Sequence, residues 1–473
     1  MPDLINELKW RGLFHQATDE NALREHLAEP RRVYAGFDPT ADSLTVGNLV
    51  PIMLLKHFQR AGHTPVVVMG GGTGLIGDPS GKEAERQLRT HEEIESNIAG
   101  QRPIFEGILE FEGKNAATIV NNHDWLGKLS YIEALRDIGK HFSVNMMIQK
   151  ESVKNRLEGR EQGISYTEFS YMILQAYDFL RLYEDQNVTV QVGGSDQWGN
   201  IVAGSDLIRR IVLEPEARKH DDIAIQFDLL ATSQAGSNPA KSMEYRQDAK
   251  RERETAEQIR NQSISYGLTA PLVTKSDGGK FGKTEGGAIW LTAERTSPYA
   301  FYQFWLNASD EDAARYMKLF TLLPQDEIES IIEAHTQNPG ARKAQRRLAQ
   351  EITTLVHGDE GVQRAEAATH ALFSGDVASL DEASLNEVFA DVASTVHSKS
   401  ELAGEGVALV ELLPLTSLAK SKREAREFLS NGSVSINGAK VSLDDRLTAA
   451  QLLHGSVALL KRGKKTWHVT RWM

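Results

Sequence analysis

Apolar and polar positions in the first 270 residues alternate between short apolar runs and longer segments with helical periodicity. "RRVYAGFD" (31–38) and "TPVVVMG" (64–70) are short apolar runs with glycine exits. Between them, apolar residues recur at i, i+3, i+4, i+7, i+8 and i+12 from Val46 to Phe58, as on one face of a helix. "NVTVQVGGSDQWGN" (187–200) repeats the order of strand, glycine and helix start. The pattern predicts parallel strands covered by helices on both faces, with ligands at the carboxyl ends of the strands.

The pattern changes in the second half of the chain. Residues 241–262 contain 11 charged residues and little apolar periodicity, which favours a solvated helix or a lid over an RNA contact. Residues 310–395 are predicted to be helical, and "STVHSKSELAGEG" (394–406) is predicted to be a linker. Beyond it we expect a helix over "SKREAREFLSNG" and a hairpin over "SVSINGAKV", which turns at Asn437–Gly438.

Composition narrows the class of protein. A chain of 473 residues can bury more than one core, and its length suggests about three domains. The absence of cysteine excludes disulfides and thiolate metal sites. The first thirty residues show mixed charge and no apolar signal segment, so we expect a cytoplasmic protein without membrane attachment. The net charge is −12, yet residues 401–473 hold 11 Lys and Arg against 7 Asp and Glu, which makes this end a basic module.

Three common sequence motifs are matched only in part by this chain. Gly72, Gly74 and Gly77 follow the dinucleotide fingerprint, but Asp78-Pro79 interrupts the helix that should follow. "GDPSGKE" has too few residues between its glycines for a P-loop, and "GGSDQ" lacks the second glycine of a nucleophile elbow. These failures disfavour a dehydrogenase, a P-loop nucleotidase and a serine hydrolase.

The stretch "GFDPTADSLTVGN" (36–48) connects a predicted strand to a predicted helix. Gly47 in the first helical turn lets a flat ligand lie against the backbone, and free N–H groups at a helix start attract phosphate. Thr40, Thr45 and Asn48 add neutral donors. Ordinary capping of the helix by Asp42 or Ser43 explains this stretch equally well when it is taken alone.

Five motifs together are more specific. "YAGFDPTADSLTVGNL", "GGGTGLIGDPSGKEAER", "SYMILQAYDFL", "QVGGSDQWGN" and "GGKFGKTEGGAIWL" occur in the order and spacing of bacterial tyrosyl-tRNA synthetases. The chain resembles that family over nearly its whole length, and its end resembles an S4 RNA-binding domain. The resemblance implies a class I synthetase that forms a homodimer. It also implies a Rossmann-type catalytic domain with a doubly wound parallel sheet, followed by a helical domain and a small α+β S4 domain.

With this resemblance, the sequence predicts five segments. They are a catalytic domain that binds tyrosine and ATP (1–227), a charged insertion (228–265), a segment that carries the "KFGKT" loop (266–335), a helical domain with a linker (336–400), and an S4 domain (408–473).

The family's reaction implies a tyrosine–tRNA ligase. L-Tyrosine and ATP form tyrosyl-adenylate and pyrophosphate, and tyrosine is then transferred to the 3′-terminal ribose of tRNA(Tyr). Mg²⁺ is expected to arrive with ATP, without protein ligands. The resemblance places the catalytic groups at Thr40, Thr45, Asn48, Lys82, Arg86, Lys280 and Lys283.

The resemblance also assigns binding residues. In "SYMILQAYDFL", three polar residues spaced i, i+4 and i+7 lie on one helix face, which without the resemblance would be taken for a polar edge. Tyr34 and Asp178 are expected at the substrate phenol, and Asp78, Tyr171 and Gln175 at its ammonium group, with Gln197 beside them. The residues expected to bind ATP are Gly36, Asp38, Gly47, Gly194, Asp196 and Lys283. The residues expected to bind tRNA are Lys420, Lys422, Arg423 and Arg426.

The sequence departs from the family's pattern at one motif, and two alternative functions therefore stay open. The family's His-Ile-Gly-His signature reads Thr45-Val46-Gly47-Asn48 here. The amide of Asn48 can place an N–H near the position of the nearer imidazole nitrogen, whereas Thr45 is shorter than histidine. One alternative is a catalytically weakened paralogue that acts as an RNA-binding protein. The other is a tryptophan-specific relative, which the phenol-binding pair disfavours.

Overall fold

The computed structural model describes residues 3–78, 88–150, 153–154, 164–284, 287–374, 376–389, 392–463 and 466–473. The chain divides into two compact units, Met1–Leu291 with Ser309–Ala334, and Thr292–Ala308 with His335–Met473. Judged by length and hydropathy together, none of the helices in the described ranges could span a lipid bilayer.

The first unit is built on a six-stranded sheet. Its strands are β1 (Gln16–Ala17), β2 (Arg32–Phe37), β3 (Thr64–Met69), β4 (Thr118–Asn121), β5 (Val188–Gly194) and β6 (Tyr266–Ala270). The strand order is β1-β6-β5-β2-β3-β4, in which β1 is antiparallel to β6 and every other pair is parallel. This sheet confirms the predicted α/β class. The order in which successive strands are added to the sheet reverses between β2 and β5, where sheets of this kind bind ligands.

Helices of the first unit cover this sheet. They are α1 (Leu4–Arg11), α2 (Glu20–His26), α3 (Leu49–Arg60), α4 (His91–Ile108), α5 (His123–Leu126), α6 (Tyr131–Glu133), α7 (Val144–Ile148), α8 (Tyr166–Gln186), α9 (Trp198–Val212), α10 (Glu214–Gln234) and α11 (Pro239–Asn261). The predicted apolar face from Val46 begins as a 3₁₀ turn over Val46–Asn48 and continues as α3, whose middle residues are fully buried. Ser165 caps α8 by accepting a hydrogen bond from the Glu168 backbone N–H.

Helices α10 and α11 form an antiparallel hairpin, called the arm (residues 214–261). The buried positions of α10 are Ala217, Ala224 and Ala231, and those of α11 are Ser242, Ala249 and Ala256. Both sets are spaced by seven residues, so small side chains line one seam and let the helices approach closely. Interhelix ion pairs join Arg260 to Glu214 and Asp221, and Nδ1 of His220 lies 2.6 Å from a carboxylate oxygen of Glu252. Residues 241–262, predicted as a solvated helix or a lid, therefore lie almost entirely in α11, which pairs with α10.

The "KFGKT" loop contains a two-stranded hairpin, β7 (Lys283–Thr284) and β8 (Gly287–Ala288). Helix α12 (Pro298–Leu306) lies in the second unit, and α13 (Asp310–Phe320) returns to the first. Phe281 of the loop stacks on Phe320 of α13, with ring centroids 5.3 Å apart. Asp312 of α13 accepts hydrogen bonds from the backbone N–H and the hydroxyl of Ser276. The start of the loop is thus anchored to the first unit.

The second unit joins helices to a small sheet. Its later elements are α14 (Gln325–Gln337, shared with the first unit), α15 (Lys343–Ser374), α16 (Glu382–Val388), β9 (Ser394–His397), β10 (Val407–Ala408), α17 (Leu409–Leu412), α18 (Lys422–Ser430), β11 (Val434–Ile436), β12 (Ala439–Lys440), β13 (Arg446–Leu447), β14 (Val457–Arg462) and β15 (Thr466–Trp472). The main sheet has the order β12-β11-β14-β15-β9, and β10 pairs with β13. This helical region and α+β end confirm the rest of the predicted fold class.

Both faces of the small sheet are covered. Alternate residues of β14 point to opposite sides, so Leu459 packs with Phe389 and other residues of 368–389, while Leu460 packs with the core beneath α17 and α18. The predicted hairpin is confirmed, because Ile436 pairs with Ala439 across Asn437–Gly438. Asn437 has φ 49° and Gly438 has φ 89°, as a two-residue hairpin turn requires.

The predicted linker over 394–406 differs from the structure. Residues Ser394–His397 form β9, which pairs in parallel with β15. Thr395 and His397 are partly buried while Ser394 and Val396 are exposed, so a mostly polar edge strand forms where composition alone favours a linker. The other domain boundaries stay predictions.

Candidate active site

A cavity of about 790 Å³ lies at the carboxyl ends of β2, β3 and β5, where the strand order reverses. The structure brings most of the predicted site residues to its walls: Tyr34, Gly36, Asp38, Thr40, Thr45, Gly47, Asn48, Asp78, Tyr171, Gln175, Asp178, Gly194, Asp196, Gln197 and Lys280. They come from β2 and the stretch after it, from α8, from the end of β5 and from the "KFGKT" loop.

Strand β2 presents alternate residues to the cavity. Tyr34, Gly36 and Asp38 are two residues apart, so their Cα–Cβ directions share one side of the sheet. A Cβ atom at Gly36 would meet no other atom of the described chain within 4 Å. The chain's own packing therefore does not require glycine here, and the open space suits a ligand against the backbone. At Gly194, by contrast, a Cβ atom would lie 2.5 Å from Oδ1 of Asp196.

Asp178 lies in the buried part of the cavity wall. Its two carboxylate oxygens accept hydrogen bonds from Nδ2 of Asn122 (2.8 Å) and Nε1 of Trp125 (2.7 Å). Burial raises the pKa of Asp178 to about 7, against the lowering effect of these two donors. The carboxylate is therefore fixed in position and titrates near neutral pH.

Tyr34 lies beside this carboxylate with 1% of its surface exposed. Its hydroxyl is buried and has no hydrogen-bond partner among the described residues. Burial, and next the charge of Asp178, raise the pKa of Tyr34, so its hydroxyl stays protonated. A buried hydroxyl without a partner costs about 1–3 kcal/mol, which a ligand oxygen at this point would offset.

A chain of amides forms another wall. Nε2 of Gln197 donates to Asp78 (2.6 Å), and Nδ2 of Asn200 donates to Oε1 of both Gln175 (2.9 Å) and Gln197 (3.2 Å). This network links the side chains of Asp78 and Gln175, which both line the cavity.

Asp38 connects this wall to the strand end. It accepts hydrogen bonds from the hydroxyls of Tyr171 (2.9 Å) and Thr73 (2.7 Å). Burial, and next the nearby charge of Asp38, raise the pKa of Tyr171. Asp38, predicted as an ATP residue, is thus hydrogen-bonded to a predicted tyrosine-binding residue.

The stretch 45–48 replaces the family's histidine signature. Both the backbone N–H and the hydroxyl of Thr45 donate to Oδ1 of Asn48, each at 3.0 Å. Since this oxygen faces Thr45, the NH₂ end of Asn48 is the one turned toward a ligand. The same contact occupies the hydroxyl proton of Thr45, which sequence reasoning had left free.

The "KFGKT" loop packs directly on this stretch. The backbone N–H of Val46 donates to the oxygen of Ile289 (3.0 Å), and that of Leu291 donates to Leu44 (2.8 Å). Gly282 has φ 76°, and a Cβ atom there would lie 2.7 Å from Val46. Lys280 consequently lines the cavity, whereas the side chain of Lys283 is exposed outside it.

Two family models match this chain. A family model for class I tRNA synthetases (W and Y) matches residues 26–242 and 247–374, and one for the tyrosine–tRNA ligase SYY-like C-terminal domain matches 384–470. The tyrosine–tRNA ligase of Bacillus caldotenax is 47% identical, covering 99% of this chain and 100% of the relative. The chain belongs to the tyrosine–tRNA ligases. The ligase of Chromobacterium violaceum is 46% identical, covering 99% of each chain.

A solved structure agrees with this assignment. The ligase described here aligns with the C-terminally truncated mitochondrial tyrosyl-tRNA synthetase of Aspergillus nidulans at TM-score 0.62 and 29% identity, over 79% of this chain and 95% of that one. The predicted enzyme class and activity are therefore confirmed. The full-length matches favour the ligase over an RNA-binding paralogue and over a tryptophan-specific relative.

Some predicted residues of the ligase are not brought to the cavity. Lys82 and Arg86 lie outside the described residues. Lys420, Lys422, Arg423 and Arg426 are exposed in the second unit, at the start of α18 and just before it.

Sequence reasoning also missed residues of this site. They are Thr73, Asn122, Trp125, Gln191 and Asn200. Asn122 directly follows β4, which was not among the predicted strands, and Gln191 lies within β5. The buried Oε1 of Gln191 has no hydrogen-bond partner among the described residues.

Proposed function

We propose that the cavity activates L-tyrosine with ATP to give tyrosyl-adenylate and pyrophosphate, and that tyrosine then passes to the 3′-terminal ribose of tRNA(Tyr). The observation that carries this proposal is the pair of Tyr34 and Asp178. A substrate phenol can accept from the Tyr34 hydroxyl and donate to the Asp178 carboxylate, which satisfies both. Phenylalanine would leave the buried Tyr34 hydroxyl with no partner among the described residues, and it would give the Asp178 carboxylate no donor beyond Asn122 and Trp125, which is a basis for rejecting it.

The substrate ammonium group is proposed to lie at the opposite wall. Asp78 supplies negative charge there, and Oε1 of Gln175 and the hydroxyl of Tyr171 supply acceptors, with Gln197 holding Asp78 in place. The bound tyrosine would then direct its carboxylate toward the stretch 36–48 and the "KFGKT" loop.

ATP is proposed to occupy that open end. Gly36, Gly47 and Gly194 allow the nucleotide to approach the backbone, and Asp38 and Asp196 offer acceptors to its ribose. Thr40, Thr45, Asn48 and Lys280, together with Lys82, Arg86 and Lys283, would surround the phosphates. Mg²⁺ is proposed to arrive with ATP.

The chemistry requires no protein nucleophile. The tyrosine carboxylate attacks the α-phosphorus of ATP, the bond to the bridging oxygen breaks, and pyrophosphate leaves. Charge accumulates on the departing group, so cations and N–H donors placed there lower the barrier. Lys280 already lines the cavity, and movement of the loop would be needed to bring Lys283 to it.

A homodimer is proposed to cover an apolar surface, called the dimer surface, over residues 131–148 and Tyr166. Its exposed members are Tyr131, Ile132, Leu135, Val144, Met146, Ile148 and Tyr166, each more than 40% exposed. A cluster of this size is typical of a protein–protein interface. The cytoplasmic location and the binding of tRNA by the basic module stay predictions.

The test uses pyrophosphate exchange with tyrosine and with phenylalanine in Tyr34→Phe and Asp178→Asn variants. Tyr34→Phe should lower the preference for tyrosine by about 2- to 10-fold, as expected for one hydrogen bond. The melting temperature of the ligand-free variant should not fall, because the lost hydroxyl has no partner among the described residues.

Tyr183→Phe is the matched control, since Tyr183 is a partly buried residue of α8 that does not line the cavity. It should leave the preference unchanged. An unaltered tyrosine preference in both Tyr34→Phe and Asp178→Asn would contradict the assignment of the phenol site.

A further inference from the structure

The arm buries only its own seam. Every fully buried residue of α10 and α11 is one of the six small residues that face each other across the hairpin. At 1.5 Å per residue, 21 and 23 residues make helices roughly 30–35 Å long. Beyond the base of the arm, where Arg209 of α9 donates to the backbone oxygen of Arg260, the outer faces of the two helices are largely exposed.

One outer face of the arm is apolar. Ile225 is 52% exposed, Leu229 is 67% exposed, and Met243 of α11 is 66% exposed. Ile225 and Leu229 are four residues apart and lie on one face of α10. Neighbouring exposed aliphatic side chains in an otherwise highly charged hairpin are typical of an interaction site.

That face continues the dimer surface. Arg218, Ile225 and Leu229 are spaced i, i+7 and i+11, so they share one side of α10. Burial, and next the charges of Lys140, Arg210 and Arg218, lower the pKa of His141, so Arg218 is one of three cations whose charge acts on this residue.

His141 is fixed to the base of the arm. Its backbone oxygen accepts a hydrogen bond from Arg210 (2.7 Å), near the end of α9, directly before the arm begins. His141 also lies inside the segment 131–148 that carries the dimer surface. The side of α10 that carries Arg218, Ile225 and Leu229 therefore adjoins the dimer surface.

We propose that the face of the arm carrying Ile225, Leu229 and Met243 packs against a second copy of this chain and enlarges the interface of the homodimer. This inference rests on the proposed dimer. The second copy is favoured as occupant because a chain seated on the dimer surface meets this face next. Nucleic acid is disfavoured, because the arm carries ten Asp and Glu against eight Lys and Arg, and α10, which supplies two of the three apolar residues, carries five against two.

The experiment compares two double variants of the full chain. Ile225→Glu with Leu229→Glu alters the proposed face. Ile223→Glu with Leu230→Glu is the matched control, because the same residue types are exchanged on the same helix. Ile223 lies about 200° around the helix from Ile225, and the control residues are 38% and 45% exposed. Sedimentation equilibrium gives the dimer dissociation constant, and circular dichroism checks the fold.

The first variant should raise the dissociation constant at least tenfold, and the control should stay within twofold of wild type. Met243→Glu should raise it in the same direction as the first variant. Equal dissociation constants for wild type and the first variant would overturn the proposal while the dimer itself stands. Equal weakening by both doubles would also overturn it, since damage to the hairpin then explains the result. If the wild-type chain is monomeric at every concentration, both the proposed dimer and the proposed contact of the arm are contradicted.

Discussion

Asp178 is a residue in which burial and hydrogen bonding act in opposite directions. Burial favours the neutral acid, whereas Asn122 and Trp125 each donate a hydrogen bond that favours the ionised form. The balance gives a pKa of about 7. With both oxygens already accepting from N–H donors, only the carboxylate form can also accept from a substrate phenol without losing one of them.

Tyrosine binding should therefore depend on pH around this value. The dissociation constant of tyrosine is expected to rise as pH falls below 7, approaching tenfold per unit, while that of phenylalanine changes much less. Equilibrium dialysis between pH 6 and pH 8 measures both. In Asp178→Asn the tyrosine profile should become flat, and a wild-type profile that is flat as well would contradict the role of this carboxylate.

Stability should show the opposite trend. The folded pKa of about 7 lies above the ordinary value of 3.8, so between these values the folded chain binds a proton that the unfolded chain lacks. The contribution of Asp178 to the free energy of unfolding should thus decrease as pH rises from about 4 to about 7, and then level off. Urea titrations of the ligand-free chain and of Asp178→Asn would isolate this part of the pH dependence.

Spacing along the sequence distinguishes the site residues that could be predicted from those that could not. Tyr171, Gln175 and Asp178 recur at helical spacing and so mark one face of α8. Asn122 and Trp125 have no such repeat, because each is a single side chain after a strand end whose direction depends on the packing of β4 beside β3. Their contacts with Asp178 join segments more than 50 residues apart.

The same distinction holds for elements. Buried strands such as β2, β3 and β5 are apolar runs, so the sequence predicts them, and Asn437–Gly438 predicts its hairpin. Strand β9 is polar and partly exposed, and only its pairing with β15 defines it. Residues 241–262 were predicted as a solvated helix or a lid, but their pairing with α10 depends on small residues that composition does not distinguish.

The seam of the arm gives a prediction for this element. Ala224→Leu inserts a larger side chain where two helices touch, which should cost about 1–3 kcal/mol. Amide hydrogen exchange in 214–261 should then accelerate about 5- to 100-fold, with tyrosine-dependent pyrophosphate exchange unchanged. The control is Gln226→Leu, at an exposed position of the same helix. Equal acceleration in both variants would mean that the seam does not set the stability of the arm.

At the scale of the whole molecule, charge is distributed unevenly. The chain carries −12 overall, yet residues 401–473 hold more Lys and Arg than Asp and Glu. Arg423 and Arg426 lie three residues apart on the exposed face of α18, whose other face packs Ala425 and Leu429 into the core. A basic helix face on an acidic protein suits the phosphates of tRNA.

Reversing these charges should separate the two steps of the reaction. Arg423→Glu with Arg426→Glu should raise the KM for tRNA in aminoacylation by about 10- to 100-fold and flatten its salt dependence, while pyrophosphate exchange stays unchanged. Lys114→Glu with Lys343→Glu makes the same change in net charge at two exposed lysines elsewhere. Aminoacylation that falls equally in both variants would assign the effect to net charge alone.

The core shared by the helices and the small sheet has a consequence for synthesis of the chain. Phe389 and the residues from 368 onward are buried by Val457, Leu459 and Val469, and Trp467 packs against Phe389. On a ribosome that adds about 5–20 residues per second, the last of these strands emerges roughly 4–17 s after Phe389. Until then the nascent helices expose an apolar face, so this interval is when the chain should depend most on chaperones.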